Sequence, residues 1–461
     1  MFNNRSPWVE QLKNKFNIEA LSKDHKTDIL IIGAGISGIT SAYYILKNTN
    51  FNVTLVEAKT LASGATGHNA GQLVSYFEKQ ISNLVKEFGF EMAVAAQKDI
   101  NSAWYLLEQI YQDTGITTSI SISNGYAGIQ SYEDLVTHLQ NAQVYKKAGL
   151  TYEKLSIADD CPYLEKIPQK FHNLFSVIKK KDLLEFLETN DSSYYAMISI
   201  KKGVMNSALF CEDLLTYIFK NYSKRFDYFD KTPVSDIKLL KNHSLAISNN
   251  KEINSEKIVL CTNGFEKINI INQAGKDINT KFHHLVIGCV GYMAGYLEED
   301  LREPTAISYL PKASKTGNEA FDNDPYFYLT RRDYEIKNKR YNLICIGGPE
   351  AIMDDSNKYK REHPFPKEAQ ESINKFLHKT YKYSPKGQID YKYIWHGLMG
   401  YTPNGVRLIG PEPLNKNLLY NLGCNGIGIL PSIFGASKIS KILAGEKFER
   451  SIFDPSNFEK I

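Results

Sequence analysis

The chain predicts a mixed α/β fold opening on a βαβ unit, and three features carry that reading. A short apolar run, Ile29-Leu-Ile-Ile32, drops into the glycines Gly33, Gly35 and Gly38, and a helix-compatible stretch follows. A second apolar run, Val53-Thr-Leu-Val56, ends on Glu57. That acid stands about 20 residues beyond the last glycine of the triad. Strand, triad, helix, strand and acid within about 30 residues form a Rossmann-like dinucleotide fingerprint. A lone triad would carry far less weight.

Each part has a physical task. Gly33 permits the tight turn, Gly35 lets backbone approach a pyrophosphate, and Gly38 lets helix and strand pack closely. Ile36 and Ser37 open the helix, whose free N–H groups point at phosphates. The Glu57 carboxylate can accept from a ribose hydroxyl, and Ala58 and Lys59 continue that edge of the expected cofactor site.

The bulk numbers bound the rest. A length of 461 residues predicts two folding units. Apolar residues at 43% and charged residues at 23% describe an ordinary globular protein. The net charge of +4 is small, and without a long basic block no nucleic-acid partner is expected. The N-terminus has no apolar core of signal-peptide length, and no apolar run reaches membrane-spanning length. The stretch from Ile427 to Leu443 is broken by Pro431, Ser432, Lys438 and Lys441, and reads as a buried helix. The six cysteines are scattered, with neither metal spacing nor C-x-x-C, so no metal site is expected. Cys261, Cys289 and Cys345 lie in apolar strand-like runs and read as reduced core thiols. A cytoplasmic location fits these features.

Further along, Leu61 to Leu73 is dense in small residues, which suits a loop laid against a flat ligand. Its candidate cofactor contacts are Ser63, Gly64, Thr66, Gly67, His68, Asn69, Gly71, Gln72 and Leu73. Residues 78–112 read as one or two helices, and Lys179 to Thr189 as a local helical insertion. A strand ending in Cys261-Thr-Asn-Gly264 repeats the strand–glycine signature and adds Thr262, Asn263 and Gly264. The end of the chain returns to the opening theme. Strand-like residues from Asn417 reach a turn holding Gly423, Asn425, Gly426, Ile427 and Gly428, and then a helix. A helix cap with no ligand is the plainer reading of that turn.

These pieces, in this order, resemble the D-amino-acid-oxidase-like family of FAD-dependent oxidoreductases across nearly the whole chain. The resemblance rests on the triad with Glu57, the Ser63–Gly71 loop, Cys261–Gly264 and the closing glycine turn. It rests also on Trp395-His-Gly-Leu-Met-Gly-Tyr-Thr-Pro-Asn-Gly405, leading to Ile409-Gly410. Ser6-Pro-Trp8 and Gly67 to Gln72 look most like the gamma-glutamylputrescine-oxidase branch. The resemblance implies FAD, held by a discontinuous domain of residues 1–95, 200–270 and 395–461. Residues 96–199 and 271–394 would then form an antiparallel-sheet substrate or cap domain over the flavin ring. It places adenine at the backbone of Val234, and adds Trp395 and Gly397 to the cofactor contacts. His68 sits in a loop similar to that of sarcosine and dimethylglycine dehydrogenases, which implies a covalent link to the flavin 8α-methyl. A non-covalent contact in place of an arginine is the alternative.

For function, the resemblance implies oxidation of a C–N bond in an amine or amino-acid derivative. A neutral amine gives hydride to flavin N5, the imine hydrolyses, and oxygen or another acceptor takes the electrons. Tyr292, Tyr328, Trp395, His396, Met399 and Tyr401 are the candidates for the substrate wall. An aromatic cluster can hold an ammonium, and each of these residues also reads as plain core. Gly397-Leu-Met399 carries methionine where related amino-acid oxidases often carry a carboxylate-clamping arginine, which favours an amine over a free amino acid. Arg331, Arg332 and Arg407 are possible substitutes, although the first two, beside Asp333, read as a solvated turn. His283 and His284 read as the lead-in to a strand, where neighbours face opposite sides. Two other functions stay open: a flavin dehydrogenase of a hydroxy acid passing electrons to quinone, and an FAD-binding subunit without turnover.

Overall fold

The computed structural model describes residues 4–13, 16, 18–152, 154–264, 267–310, 326–353, 359–447 and 449–458. Two sheets organise them. The first has nine strands and is parallel at its heart. His25–Ile32 lies between Val53–Val56 and Lys251–Leu260, with Ile29 facing Val53 on one side and Lys257 on the other. Asn415–Leu422 continues the parallel set beyond Lys251–Leu260. The central strand is buried along its apolar run, with Ile29, Leu30 and Ile31 at 0% exposure. Strands buried on both faces read as continuous apolar runs, and so these do.

The helix Ile36–Asn48 packs on this sheet and against Ile429–Leu443. The latter buries eleven of its fifteen residues, because its lysines fall at the C-terminal end. Residues 81–114 fold as two helices, Ile81–Phe88 and Phe90–Thr114, separated by Gly89 at φ 84°. Lys180–Phe186 is helical as well.

The second sheet has ten strands and is mostly antiparallel. Tyr393–Tyr401 pairs with Ile287–Glu298, which pairs with Lys339–Met353, which pairs with Phe327–Ile336. In the expected division, 395–461 stood with the nucleotide domain; its first strand hydrogen-bonds along its length to this second sheet instead. Gln72–Leu73 also joins it, pairing with Ala196–Met205. One continuous core, including Ile31, Trp8, Met293 and Trp395, runs between the sheets.

Two expectations need correction. Arg331 and Arg332 are buried strand residues, not a solvated turn. Arg331 forms a two-pronged pair with Glu188, at 2.6 and 2.7 Å, and Arg332 bonds the Gln11 amide oxygen and lies 4.5 Å over the Trp8 ring. Distant partners make their burial tolerable. Asn279–His284 is a short helix, so His283 and His284 are not paired strand neighbours.

Candidate active site

The strand ends, the small-residue loop and the second sheet enclose one cavity of about 1740 Å³. A site for a drug-sized ligand measures about 300–1,000 Å³. This volume suits an extended dinucleotide together with a second small molecule.

One end is built from the first sheet. Gly33, at φ 105°, has no room for a side chain: a Cβ would stand 2.8 Å from the Cys261 carbonyl oxygen. Gly38 is tighter still, with a Cβ position 1.8 Å from the Gly33 oxygen. Ile36 donates its N–H to Thr66 Oγ1 at 2.9 Å, which ties the helix start to the small-residue loop. Glu57 accepts from the backbone N–H groups of Ala34 (2.8 Å) and Lys59 (3.0 Å). Burial raises its pKa against those bonds. Gly35, Ser37, Ala58, Ser63, Gly64 and Val234 also line this end.

Arg407 stands here and not at a substrate carboxylate site. Its guanidinium donates to Asn421 Oδ1 (2.8 Å), the Asn421 carbonyl (2.9 Å) and Ser37 Oγ (3.1 Å). Burial without a carboxylate lowers its pKa to about 10.

His68 sits midway. Its Nδ1–H donates to the Gly64 carbonyl at 3.0 Å, which fixes the tautomer and leaves the Nε2 lone pair to accept from Arg361 at 2.9 Å. Burial, and then the Arg361 charge, push its pKa down to about 3, so the ring is neutral. Gly397 makes room for it: a Cβ there would meet the His68 carbonyl oxygen at 2.5 Å.

The other end is a chamber from the second sheet and the closing turn. Gly397, Gly291 and Glu350 lie side by side on three adjacent strands and all face the cavity. Two glycines in register leave a flat opening. Tyr328, Met399 and Tyr401 line the walls, with Gly426, Ile427 and Gly428 at one edge. Tyr292 lines the cavity from the opposite face of its strand, paired with His396 and packed on Phe365. Two expected wall residues do not belong to it. His396 points to the opposite face of its strand from Gly397, as strand alternation requires. There its ring bonds the Tyr359 hydroxyl and the His363 carbonyl, each at 3.0 Å. Trp395 is fully buried beside Trp8, edge to face at 6.4 Å, and does not line the cavity. Gly38, Gly67, Leu73, Gly264, Gly423 and Asn425 also stand behind the lining, where they shape it. The Asn425 side chain, for instance, accepts from Thr402 N–H at 2.7 Å and braces the turn. Lys59, Thr66, Asn69, Gly71, Gln72, Thr262 and Asn263 do line it.

The sequence reading missed Glu78, Glu350, Tyr326, Tyr359 and Arg361, all on the cavity wall. The one local hint is Gly347-Gly-Pro-Glu350, where paired glycines mark a strand that something approaches closely.

The cavity passes a test for a polar cofactor. Gln72 Nε2 and Thr262 Oγ1 are buried with no hydrogen-bond partner among the described residues, and both residues face the cavity. Their residues share the cavity wall with Gly33 and Gly35, where a side chain has no room and the backbone is left bare for a dinucleotide. No cluster of three or more metal-ligating side chains occurs among the described residues, and no helix among them is long and apolar enough to cross a membrane.

A nucleotide-binding sheet opening into a roofed chamber defines a flavoprotein oxidoreductase architecture. The chain belongs to the FAD dependent oxidoreductase family, DAO, whose model matches residues 28–441. FAD is therefore its cofactor, and it is an FAD-dependent oxidoreductase. Among curated proteins it is similar to gamma-glutamylputrescine oxidoreductase of Escherichia coli, 30% identical over 94 residues, 20% of this chain and 22% of that one. It is also similar to an L-amino-acid oxidase of Bothrops jararacussu, 25% identical over 236 residues, 45% of this chain and 42% of that one. The chain thus spans less than half the length of either. Among solved structures, L-proline dehydrogenase from P. horikoshii shares the fold: TM-score 0.67, 14% identity, 95% of this chain and 99% of that chain.

Proposed function

We propose that this enzyme oxidises the C–N bond of an amine or amino-acid derivative, releasing an imine that water hydrolyses. Bound FAD supplies the two-electron acceptor. The observation that carries the reading is the roofed chamber, whose tyrosine wall and glycine floor are continuous with the nucleotide groove. The relatives support it, since by name they act on gamma-glutamylputrescine, L-amino acids and L-proline.

In this reading Gly33, Gly35 and Ser37 receive the pyrophosphate, Glu57 the ribose and Val234 the adenine. Gln72, Thr262 and the Gly426–Gly428 turn hold the flavin. The nucleotide unit is then the first sheet with its helices, and the cap is the second sheet. Tyr328, Met399 and Tyr401 exclude water and orient the C–H bond to be broken, and Tyr292 closes the cavity from the other face of its strand. The lack of a cation at Met399 favours an amine over a simple α-amino acid. His68 makes a non-covalent contact, because Arg361 already occupies its free lone pair. A cytoplasmic home suits six unpaired cysteines.

Purified protein should show flavin absorption, and an amine should bleach it without air. A flavin that no amine or amino acid bleaches would reject the reading. Acid denaturation should release all yellow colour; colour retained on the chain would establish the covalent His68 link instead. Peroxide formed under air identifies oxygen as the acceptor.

A further inference from the structure

The chamber holds two carboxyl groups that no ion pair among the described residues answers. Glu78 and Glu350 both face it; burial, and then Glu350, raise the cost of ionising Glu78, and burial raises that of Glu350. The Glu78 carboxylate lies against the closing turn: a Cβ on Gly426 would stand 3.5 Å from its Oε2 and 2.9 Å from the Tyr401 hydroxyl. Glu350 projects from the strand beside Gly291, at the edge of the glycine floor. Its Oε2 accepts from the Cys289 thiol at 3.6 Å. Among the described residues neither carboxylate has an ion-pair partner. Lys202 acts on Glu78 only through space; its ammonium donates to Ser308 Oγ at 3.0 Å and does not line the cavity.

Two carboxylates facing one cavity repel each other when ionised, and a cation between them relieves that repulsion. The aromatic rings of Tyr328 and Tyr401, both close enough to feel Glu78 and Glu350, add attraction for that cation. A substrate carboxylate, by contrast, would face like charge on two sides. The nitrogen whose C–N bond is oxidised has to be uncharged to release a hydride, so the anchored cation is a different nitrogen.

Building on the amine-oxidation reading, we propose that Glu78 and Glu350 anchor a second, protonated nitrogen of the substrate. The enzyme then selects a diamine, or an amine carrying a remote cation, over an α-amino acid. Both residues act as specificity determinants.

The test titrates the FAD-loaded protein, without air, with three four-carbon probes: 1,4-diaminobutane, n-butylamine and 4-aminobutanoate. They share an aminopropyl chain and differ in the group it carries at the far end: a protonated aminomethyl, a methyl or a carboxylate. The readout is the flavin difference spectrum, or the concentration dependence of bleaching where a probe reduces the flavin. The diamine should bind about 10-fold or more tightly than n-butylamine, with 4-aminobutanoate weakest. Glu350→Gln should shrink the diamine preference about 5-fold or more while flavin content per chain stays the same. Equal binding of diamine and n-butylamine, or a preference for 4-aminobutanoate, overturns the anchor. So does a flavin-loaded Glu350→Gln protein that keeps the full preference. Should that variant not fold, the wild-type ladder of three probes decides alone. Tight, selective diamine binding with no bleaching by any amine keeps the anchor and sinks the oxidation reading. Bleaching by amines without any preference does the reverse.

Discussion

The two ends of the cavity are built on different principles. The nucleotide end is local: Gly33, Gly35, Gly38 and Glu57 fall within 25 residues and one βαβ unit. Its proposed binding groups are mostly backbone N–H donors, shaped by glycines at which a Cβ would stand only 1.8 to 2.9 Å from a neighbouring atom. The chamber end is assembled from Glu78, Tyr292, Tyr328, Glu350, Met399 and Gly426, spread across most of the chain. Its binding groups are side chains. In the proposed reading the first end meets a generic phosphate and ribose, and the second one particular substrate. Backbone donors cannot be mutated away, whereas side chains can be exchanged without disturbing the sheet beneath them.

That contrast can be broken most severely at Gly38. Gly38→Val puts carbon where the Gly33 oxygen already lies, so helix and strand must part. We expect a loss of about 3 kcal/mol or more and little FAD retained, read by thermal unfolding and by flavin absorbance per chain. Full FAD loading in that variant would deny that the nucleotide end depends on close backbone packing.

Met399→Arg probes the opposite end. A guanidinium on the chamber wall should move preference toward α-amino acids by about 10- to 100-fold relative to amines, the range of a charged hydrogen bond. FAD affinity should stay within about 3-fold, as the change lies off the nucleotide groove. Steady-state comparison of paired substrates measures it, and an unchanged ratio would mean that position 399 does not meet the substrate.

Glu57→Ala sharpens the same comparison from the nucleotide side. It removes the acceptor for two backbone N–H groups. FAD binding should weaken about 10-fold in titration of apoprotein, with substrate selectivity unchanged. A changed selectivity at normal FAD affinity would reverse the assignment of the two ends.

The smallest effect is a pH dependence. His68 is held neutral, its pKa lowered from 6.5 to about 3 by burial and Arg361. The unfolded chain therefore binds a proton that the folded chain refuses between those values. Its contribution is complete above pH 6.5 and is lost as pH falls toward 3. Urea midpoints at pH 7 and pH 5 should differ less in His68→Gln than in the parent. Equal differences would show that His68 does not carry this acid sensitivity.

Legibility followed the same division. The triad, Glu57, the small-residue loop and the closing turn were readable because each is a contiguous pattern with a fixed backbone task. The chamber was readable only in part. Tyr292, Tyr328, Met399 and Tyr401 reach the cavity, while His396 and Trp395, on the same strand as Met399, do not. Glu78 and Glu350 look like ordinary surface acids until folding turns both to the cavity; desolvation there, and then Glu350, push the Glu78 pKa up to about 7. Arg331 looked solvated because its partner, Glu188, is 143 residues away.

By itself, then, the order of residues determined the βαβ entry, the cofactor class and the continuous apolar strands, since these depend on neighbours within a few tens of positions. Only the tertiary structure decided which side chains share the chamber, that His68 meets Arg361, and that two carboxylates face one cavity. Strand register and the closure of one sheet over the other set those meetings, and such long-range pairings leave no mark on any short stretch of chain.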